Sequence, residues 1–331
     1  MPDVSVLLPV FNGEKTIRRA VDSILGQSLA ALEIIVVDDG SNDATLKILH
    51  QLQDPRVRVT STLHQGVADA ANHGLNYCSS KYIARMDADD VAHPEKLEKQ
   101  LDYLKQNQLD VVGCQVRILD EAGKGVESML GYQQWINRET LDPESIRGLR
   151  FVELPMVNPT ILADRSYFEL GFTNSEFPED YDLFLRALEQ GFRFGKVSQV
   201  LFDWYDLPDR LTRNHPRYTE TAFDHCRKHF LLRGPLNSVR EIDFWGVGKT
   251  GKPWLRWLKH KEIKIRRCFD IDTKKVGHNI HGGFVEHCEN LKRPDGTKLF
   301  IAVGKRNARC LIADFLLKKG FRIGEDAWFI A

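Results

Sequence analysis

The sequence lacks net charge, paired cysteines and long apolar runs. Its 46 basic and 46 acidic side chains cancel over 331 residues. That balance excludes a nucleic-acid binder working through bulk basicity. The six cysteines (Cys78, Cys114, Cys226, Cys268, Cys288 and Cys310) are scattered, with no Cys-x-x-Cys pair. This argues against a zinc site or a disulfide framework and fits a reducing, cytoplasmic setting. The eleven histidines show no metal-ligand spacing either. No stretch approaches the roughly 20 apolar residues of a membrane helix. The N-terminus has no basic segment leading into an apolar one, so no signal peptide is expected. Internal repeats and low-complexity tracts are absent too.

What is present is a chain that can fold. It is 42% apolar and 28% charged, and its length suits about two domains at roughly 100–200 residues each. The zero net charge conceals a split. Residues 1–235 carry 26 basic and 35 acidic side chains, a net of −9, and residues 236–331 carry 20 and 11, a net of +9. Opposite signs predict two domains with different partners. We place them at 1–232 and 238–331, with a linker near Arg233-Gly234-Pro235.

Val4-Ser5-Val6-Leu7-Leu8-Pro9-Val10 reads as a buried strand closed by the Asn12-Gly13 turn pair. Ile17, Ala20, Val21, Ile24 and Leu25 then recur on one helical face. Glu33 to Val37 is a second apolar strand, ending in Asp38-Asp39-Gly40-Ser41. Strand, helix and parallel strand make a βαβ unit, which predicts a largely parallel sheet. A later strand, Tyr82-Ile83-Ala84, runs into Arg85-Met86-Asp87-Ala88-Asp89-Asp90, and a helix carrying Leu97, Leu101 and Leu104 follows. Open α/β sheets bind ligands outside the carboxyl ends of their strands. One Asp after a strand is ordinarily a turn or cap residue. Two clusters of like charge at strand ends need a compensating cation or donor. A hard divalent cation sharing phosphate oxygens supplies it.

These fragments resemble the family 2 glycosyltransferases of GT-A fold. The resemblance rests on Val4 through Pro9-Val10-Phe11-Asn12, Ser23-Ile24-Leu25-Gly26-Gln27-Ser28, Val37-Asp38-Asp39-Gly40-Ser41 and the Arg85–Asp90 run. It continues through Asn158-Pro159, Gly171-Phe172 and Glu179-Asp180-Tyr181-Asp182, and covers about residues 3–215. It implies an α/β GT-A domain acting on a nucleoside-diphosphate sugar, with UDP the expected nucleotide. Pro9, Asp38, Asp39, Arg85 and Asp87 are then the donor-binding candidates. By resemblance Asp39 accepts the imide N–H of the base. An ionised carboxylate only accepts, so it suits uracil, thymine or guanine. Asp38 is either a second base contact or a residue that fixes the turn. Asp87 is implied at the ribose, and Asp89, with Asp87, at Mn²⁺ or Mg²⁺, which offsets charge on the leaving diphosphate. Arg85 either pairs with these acids or reaches a phosphate. The segment from Gln65 to Gly74 resembles the loop and helix covering the nucleotide, with Ala71 where many members carry Arg or Leu.

Sugar transfer needs an acceptor hydroxyl to lose its proton, which a positioned carboxylate can accept. By resemblance Asp180 is that base and Glu179 positions the base or the acceptor, with inversion in a single displacement. Both are also acids that a helix N-terminus favours. The Gln-x-x-Arg-Trp motif of processive polysaccharide synthases is missing, which predicts single-sugar transfer to a glycan or lipid-linked acceptor in surface polysaccharide assembly. Trp204-Tyr205-Asp206-Leu207 departs from the commonest acceptor-end pattern.

The basic C-terminal part opens a second α/β unit. Ile242-Asp243-Phe244-Trp245 reads as a strand, followed by Gly246-Val247-Gly248-Lys249-Thr250-Gly251 and a helix from Pro253. Gly246, Gly248 and Gly251 form a G-x-G-x-x-G in strand–turn–helix context, and Asp270 stands near the acidic position of a dinucleotide fold. The region resembles the small Rossmann-like domains of sugar-modifying acyltransferases. It is either a nucleotide site or a scaffold whose glycines serve packing. A Walker A reading fails because Pro253 offers no hydroxyl to Mg²⁺. The competing functions are an NAD(P)-dependent oxidoreductase or a nucleotide-binding protein acting through this domain. The basic surface also suits peripheral contact with an anionic membrane.

Overall fold

The apolar N-terminal run becomes the strand around which the first sheet is built. A computed structural model describes residues 2–208 and 210–331. Every residue of β1 (Val4–Val10) is buried, as expected of a strand covered on both faces. The helix Ile17–Leu25 lays Ile17, Ala20, Val21 and Ile24 into the core. The chain then returns as β2 (Leu32–Asp38), which pairs with β1 in parallel from Val4–Leu32 to Val10–Asp38. The expected βαβ unit is therefore present. β3 (Val57–Ser61) extends the sheet beside β2, and β4 (Tyr82–Arg85) pairs in parallel with β1 on its other side.

Beyond β4 the sheet is mixed rather than largely parallel. The further strands are β5 (Val91–Ala92), β6 (Val111–Leu119), β7 (Leu162–Asp164) and β8 (Phe194–Tyr205), in the order β3-β2-β1-β4-β7-β6-β8-β5. β7 runs antiparallel to both neighbours and β5 antiparallel to β8. These two short strands carry no apolar alternation long enough to signal direction. The parallel strands β1 to β4 point their carboxyl ends to one side, where Asp38-Asp39 and Asp87–Asp90 follow. Helix Lys96–Gln106 buries Leu97, Leu101 and Leu104 against this sheet.

The chain divides into two compact units, Met1–Pro143 with Met156–Cys226, and Glu144–Pro155 with Arg227–Ala331. The segment Glu144–Pro155, placed by sequence inside the first domain, packs in the second unit. There the Cβ position of Gly148 lies against Ile323 and Arg227 bonds the Val152 carbonyl. The helix Glu220–Arg233 runs up to the expected linker. By these bounds the first unit has 21 basic and 33 acidic side chains and the second 25 and 13, nets of −12 and +12.

The second unit is a six-stranded sheet of β9 (Glu241–Trp245), β10 (Lys264–Asp270), β11 (Asn279–Ile280), β12 (Gly283–His287), β13 (Leu299–Ile301) and β14 (Ala327–Phe329). The order is β11-β12-β10-β9-β13-β14, parallel apart from the β11–β12 pair. The helix after β9 spans Gly251–His260, starting two residues before Pro253. Gly246 has a φ of +101°, and a Cβ on Gly251 would lie 1.6 Å from the Gly246 carbonyl oxygen. Two of the three glycines are thus demanded by backbone packing.

Candidate active site

The carboxyl end of β2 is fixed by its own loop. Gly40, at φ +72°, lets the chain turn where a Cβ would come 2.8 Å from the His64 nitrogen. Asp39 is buried and anchors residues 62–66. Its Oδ1 accepts the Gln65 N–H at 3.0 Å and the Thr62 hydroxyl at 3.3 Å, and its Oδ2 accepts the Gly66 N–H at 2.9 Å. The His64 ring meets Oδ2 at 2.9 Å. That fills the roughly four acceptor positions of a carboxylate. Asp38, also buried, accepts the Ser41 N–H at 3.3 Å and so fixes the turn. Pro9 lies buried in β1 opposite Val37. Beside Asp39, the Phe11 and His64 rings stack at 3.9 Å with a 20° interplanar angle, and Phe11 is 43% exposed. Neither ring was singled out in the sequence, since only the tertiary turn brings them together. Ala70 and Ala71 are buried in the helix Val67–Leu75, so they pack rather than contact a ligand.

After β4, Asp87, Asp89 and Asp90 gather so that one carboxylate oxygen from each lies within 4.8 Å of the others. Arg85 is buried and pairs with Asp87 Oδ1 at 2.8 Å, while its other terminal nitrogen bonds the Met86 carbonyl. Of the two roles the sequence left open, pairing with the acids is the one observed. Asp90 is fully buried. One oxygen accepts the Tyr205 N–H at 2.8 Å, and the other has no hydrogen-bond partner among the described residues. Burial raises the pKa of Asp89 and lifts that of Asp90 well above its ordinary value; Arg210 opposes both shifts and the neighbouring acids add to them. An all-oxygen donor set with an orphaned buried oxygen fits a hard divalent cation.

Sequence reasoning missed the group that faces this cluster. Arg210 extends its guanidinium to Asp87 at 3.6 Å, Asp89 at 3.7 Å and Asp90 at 3.8 Å. It comes from the segment after β8, far along the chain from the acids, so no local pattern marks it.

Glu179 and Asp180 open the helix Glu179–Glu189. Glu179 is buried and accepts the Tyr218 hydroxyl at 2.7 and 2.6 Å on its two oxygens, with Arg217 at 3.7 Å. Asp180 accepts its neighbour's Tyr181 N–H at 2.7 Å. Burial first, then the Glu179 carboxylate and more weakly Asp87, push the Asp180 pKa up to about 8. The structure thus brings Asp180 within electrostatic range of Asp87, an arrangement suited to proton transfer near neutral pH.

The second unit treats its candidates differently. Asp270 accepts the Val247 N–H at 3.2 Å, the Asp272 N–H at 3.0 Å and the Lys275 ammonium at 3.1 Å. Its carboxylate is used in holding the glycine loop. A Cβ on Gly248 would meet only the Lys275 ammonium, at 3.6 Å.

An α/β sheet with paired acid clusters at its strand ends and a neighbouring helix-start acid is an arrangement suited to a group-transfer enzyme. Comparison with known proteins carries this to a family. The glycosyl transferase family 2 model matches residues 5–157. EpsE of Bacillus subtilis (strain 168), which bears a provisional glycosyltransferase name, is 31% identical over 301 residues, 86% of this chain and 98% of its own. The crystal structure of S. aureus TarS 1-349 with UDP-GlcNAc aligns with a TM-score of 0.55 at 18% identity, covering 80% of this chain and 82% of that one. The Pyrobaculum calidifontis mannosyltransferase PcManGT, solved with GDP-Man and Mn²⁺, aligns at 0.51 and 19% identity, covering 79% and 69%. The chain belongs to glycosyl transferase family 2, and its first unit has the GT-A fold.

Proposed function

We propose that this glycosyltransferase moves a single sugar from a nucleoside-diphosphate donor, with UDP the expected nucleotide, to a hydroxyl of a glycan or lipid-linked acceptor, inverting the anomeric centre. The supporting observation is the Asp87–Asp89–Asp90 cluster after β4, with buried Asp180 close enough to Asp87 for their charges to interact. Asp180 accepts the acceptor proton as the hydroxyl attacks. Glu179, fixed by Tyr218, holds the acceptor side of the site. Asp87 and Asp89 would hold Mn²⁺ or Mg²⁺, whose positive charge stabilises the departing diphosphate. Arg85 orients Asp87.

The base stacks on the exposed Phe11 ring, and its imide N–H enters the Asp39 acceptor set. The donor it replaces is His64, whose side chain is 55% exposed and the most readily released. TarS was solved with a uracil nucleotide and PcManGT with a guanine one, and both bases present that N–H. The basic second unit favours an anionic membrane surface or diphosphate-lipid acceptor and the assembly of surface polysaccharide at the cytoplasmic face. No described helix is long and apolar enough to cross a membrane.

The test is ligand-induced thermal stabilisation, followed by a nucleotide-sugar screen read as released nucleoside diphosphate. Stabilisation by UDP or GDP with Mn²⁺ is expected. Stabilisation by NAD alone overturns this reading in favour of an oxidoreductase acting through Gly246, Gly248 and Gly251.

A further inference from the structure

Three carboxylates crowded at a strand end repel one another unless a cation sits among them. Here the cation belongs to the chain. The Arg210 side chain is only 8% exposed and spreads one positive charge over Asp87, Asp89 and Asp90. All three contacts, 3.6 to 3.8 Å, are longer than a charge-assisted hydrogen bond. Its firm contacts lie elsewhere. One terminal nitrogen donates to the Tyr205 carbonyl at 2.9 Å, and the guanidinium lies 4.6 Å from the centre of the Trp204 ring. Arg210 is therefore seated on β8 and only loosely engaged with the acids.

We propose that Arg210 is the resident counter-cation of the acid cluster and is exchanged for the divalent cation when the metal loads. This rests on the reading that Asp87 and Asp89 are metal ligands. A guanidinium and a metal ion cannot share the same oxygens, and a divalent ion neutralises more of the cluster's charge at shorter range. Occupancy by Arg210 lowers the apparent metal affinity in proportion to the fraction of molecules in which it sits there. The segment that carries it also supplies Tyr218 and Arg217 to Glu179. One stretch of chain thus holds both the metal-side and acceptor-side carboxylates before substrate arrives.

The experiment titrates Mn²⁺ alone into the full chain by calorimetry, for the wild type, Arg210→Ala and Arg210→Lys. Arg210→Ala is expected to bind Mn²⁺ at least about tenfold tighter than the wild type, as expected if Arg210 occupies the cluster about nine-tenths of the time. Arg210→Lys should fall between them. A second readout needs no variant at Arg210. Mg²⁺, which does not quench fluorescence by itself, should change the tryptophan emission of the wild type, and Trp204→Phe should abolish that change. Equal or weaker Mn²⁺ binding by Arg210→Ala, or a Mg²⁺ response that survives Trp204→Phe, overturns the exchange while leaving the metal reading standing. If the wild type binds no Mn²⁺ with or without UDP, both fall.

Discussion

The strands of both sheets carry buried acids, and the two units balance them in opposite ways. In the second unit, Asp243 is clamped by Arg266 at 2.9 and 2.7 Å and by Arg267 at 2.6 Å. Asp270 is closed by Lys275 and two backbone N–H groups. These contacts are short and complete, although the unit as a whole carries a net of +12. In the first unit, net −12, Arg85 pairs with Asp87 alone at 2.8 Å, Arg210 reaches all three acids only at 3.6 to 3.8 Å, and one buried oxygen has no hydrogen-bond partner among the described residues. Short and satisfied ion pairs belong to structure. Long and incomplete ones mark a place where a ligand charge is awaited.

The sharpest way to break this contrast is at the proposed base. Asp180→Asn is expected to cut transfer by about 10²–10⁴ while leaving thermal stability near that of the wild type, since Asn is neutral like the protonated form that burial favours. Steady-state turnover beside a melting curve checks both, and wild-type turnover would remove Asp180 as the base. In the second unit the large effect should fall on stability instead. Gly251→Ala places a Cβ 1.6 Å from a backbone oxygen and is expected to cost about 1–3 kcal/mol or more, measured by denaturant unfolding. Gly248→Ala meets no atom closer than 3.6 Å and should stay within about 0.5 kcal/mol of the wild type. If instead it abolishes binding of an added nucleotide, the second sheet end is a ligand site.

The smallest effect is on pH dependence. The Asp180 pKa is raised from the ordinary 3.8 to about 8, so between those values the folded protein holds a proton that the unfolded chain releases. Its contribution to stability is present below 3.8 and is lost as pH rises through about 8. Melting temperatures measured across that window with EDTA should decline with pH in the wild type and decline less in Asp180→Asn. Parallel curves would show that Asp180 titrates normally.

Much of the first unit was legible because strands buried on both faces must be apolar throughout. Val4–Val10 and Glu33–Val37 announced themselves, and Asp38-Asp39 and Asp87–Asp90 stood out as charges where those runs stopped. The direction of β7 was not legible, since three residues carry no periodicity. The affiliation of Glu144–Pro155 with the second unit was not legible either, because packing partners such as Gly148 and Ile323 lie far apart in sequence. For the glycines, the spacing of Gly246, Gly248 and Gly251 was visible, but only the fold separates the two that backbone packing requires from the one that it does not.

The sequence by itself determined the family, the strand-end placement of the acids and the opposite charge of the two parts, because composition and short-range pattern are local properties. Tertiary structure decided which charges meet. Asp39 became a loop anchor through Gln65 and Gly66, Glu179 gained Tyr218, and the acid cluster gained Arg210. Each pairing closes a long loop, and no local spacing encodes a contact whose free energy appears only once the chain has returned to itself.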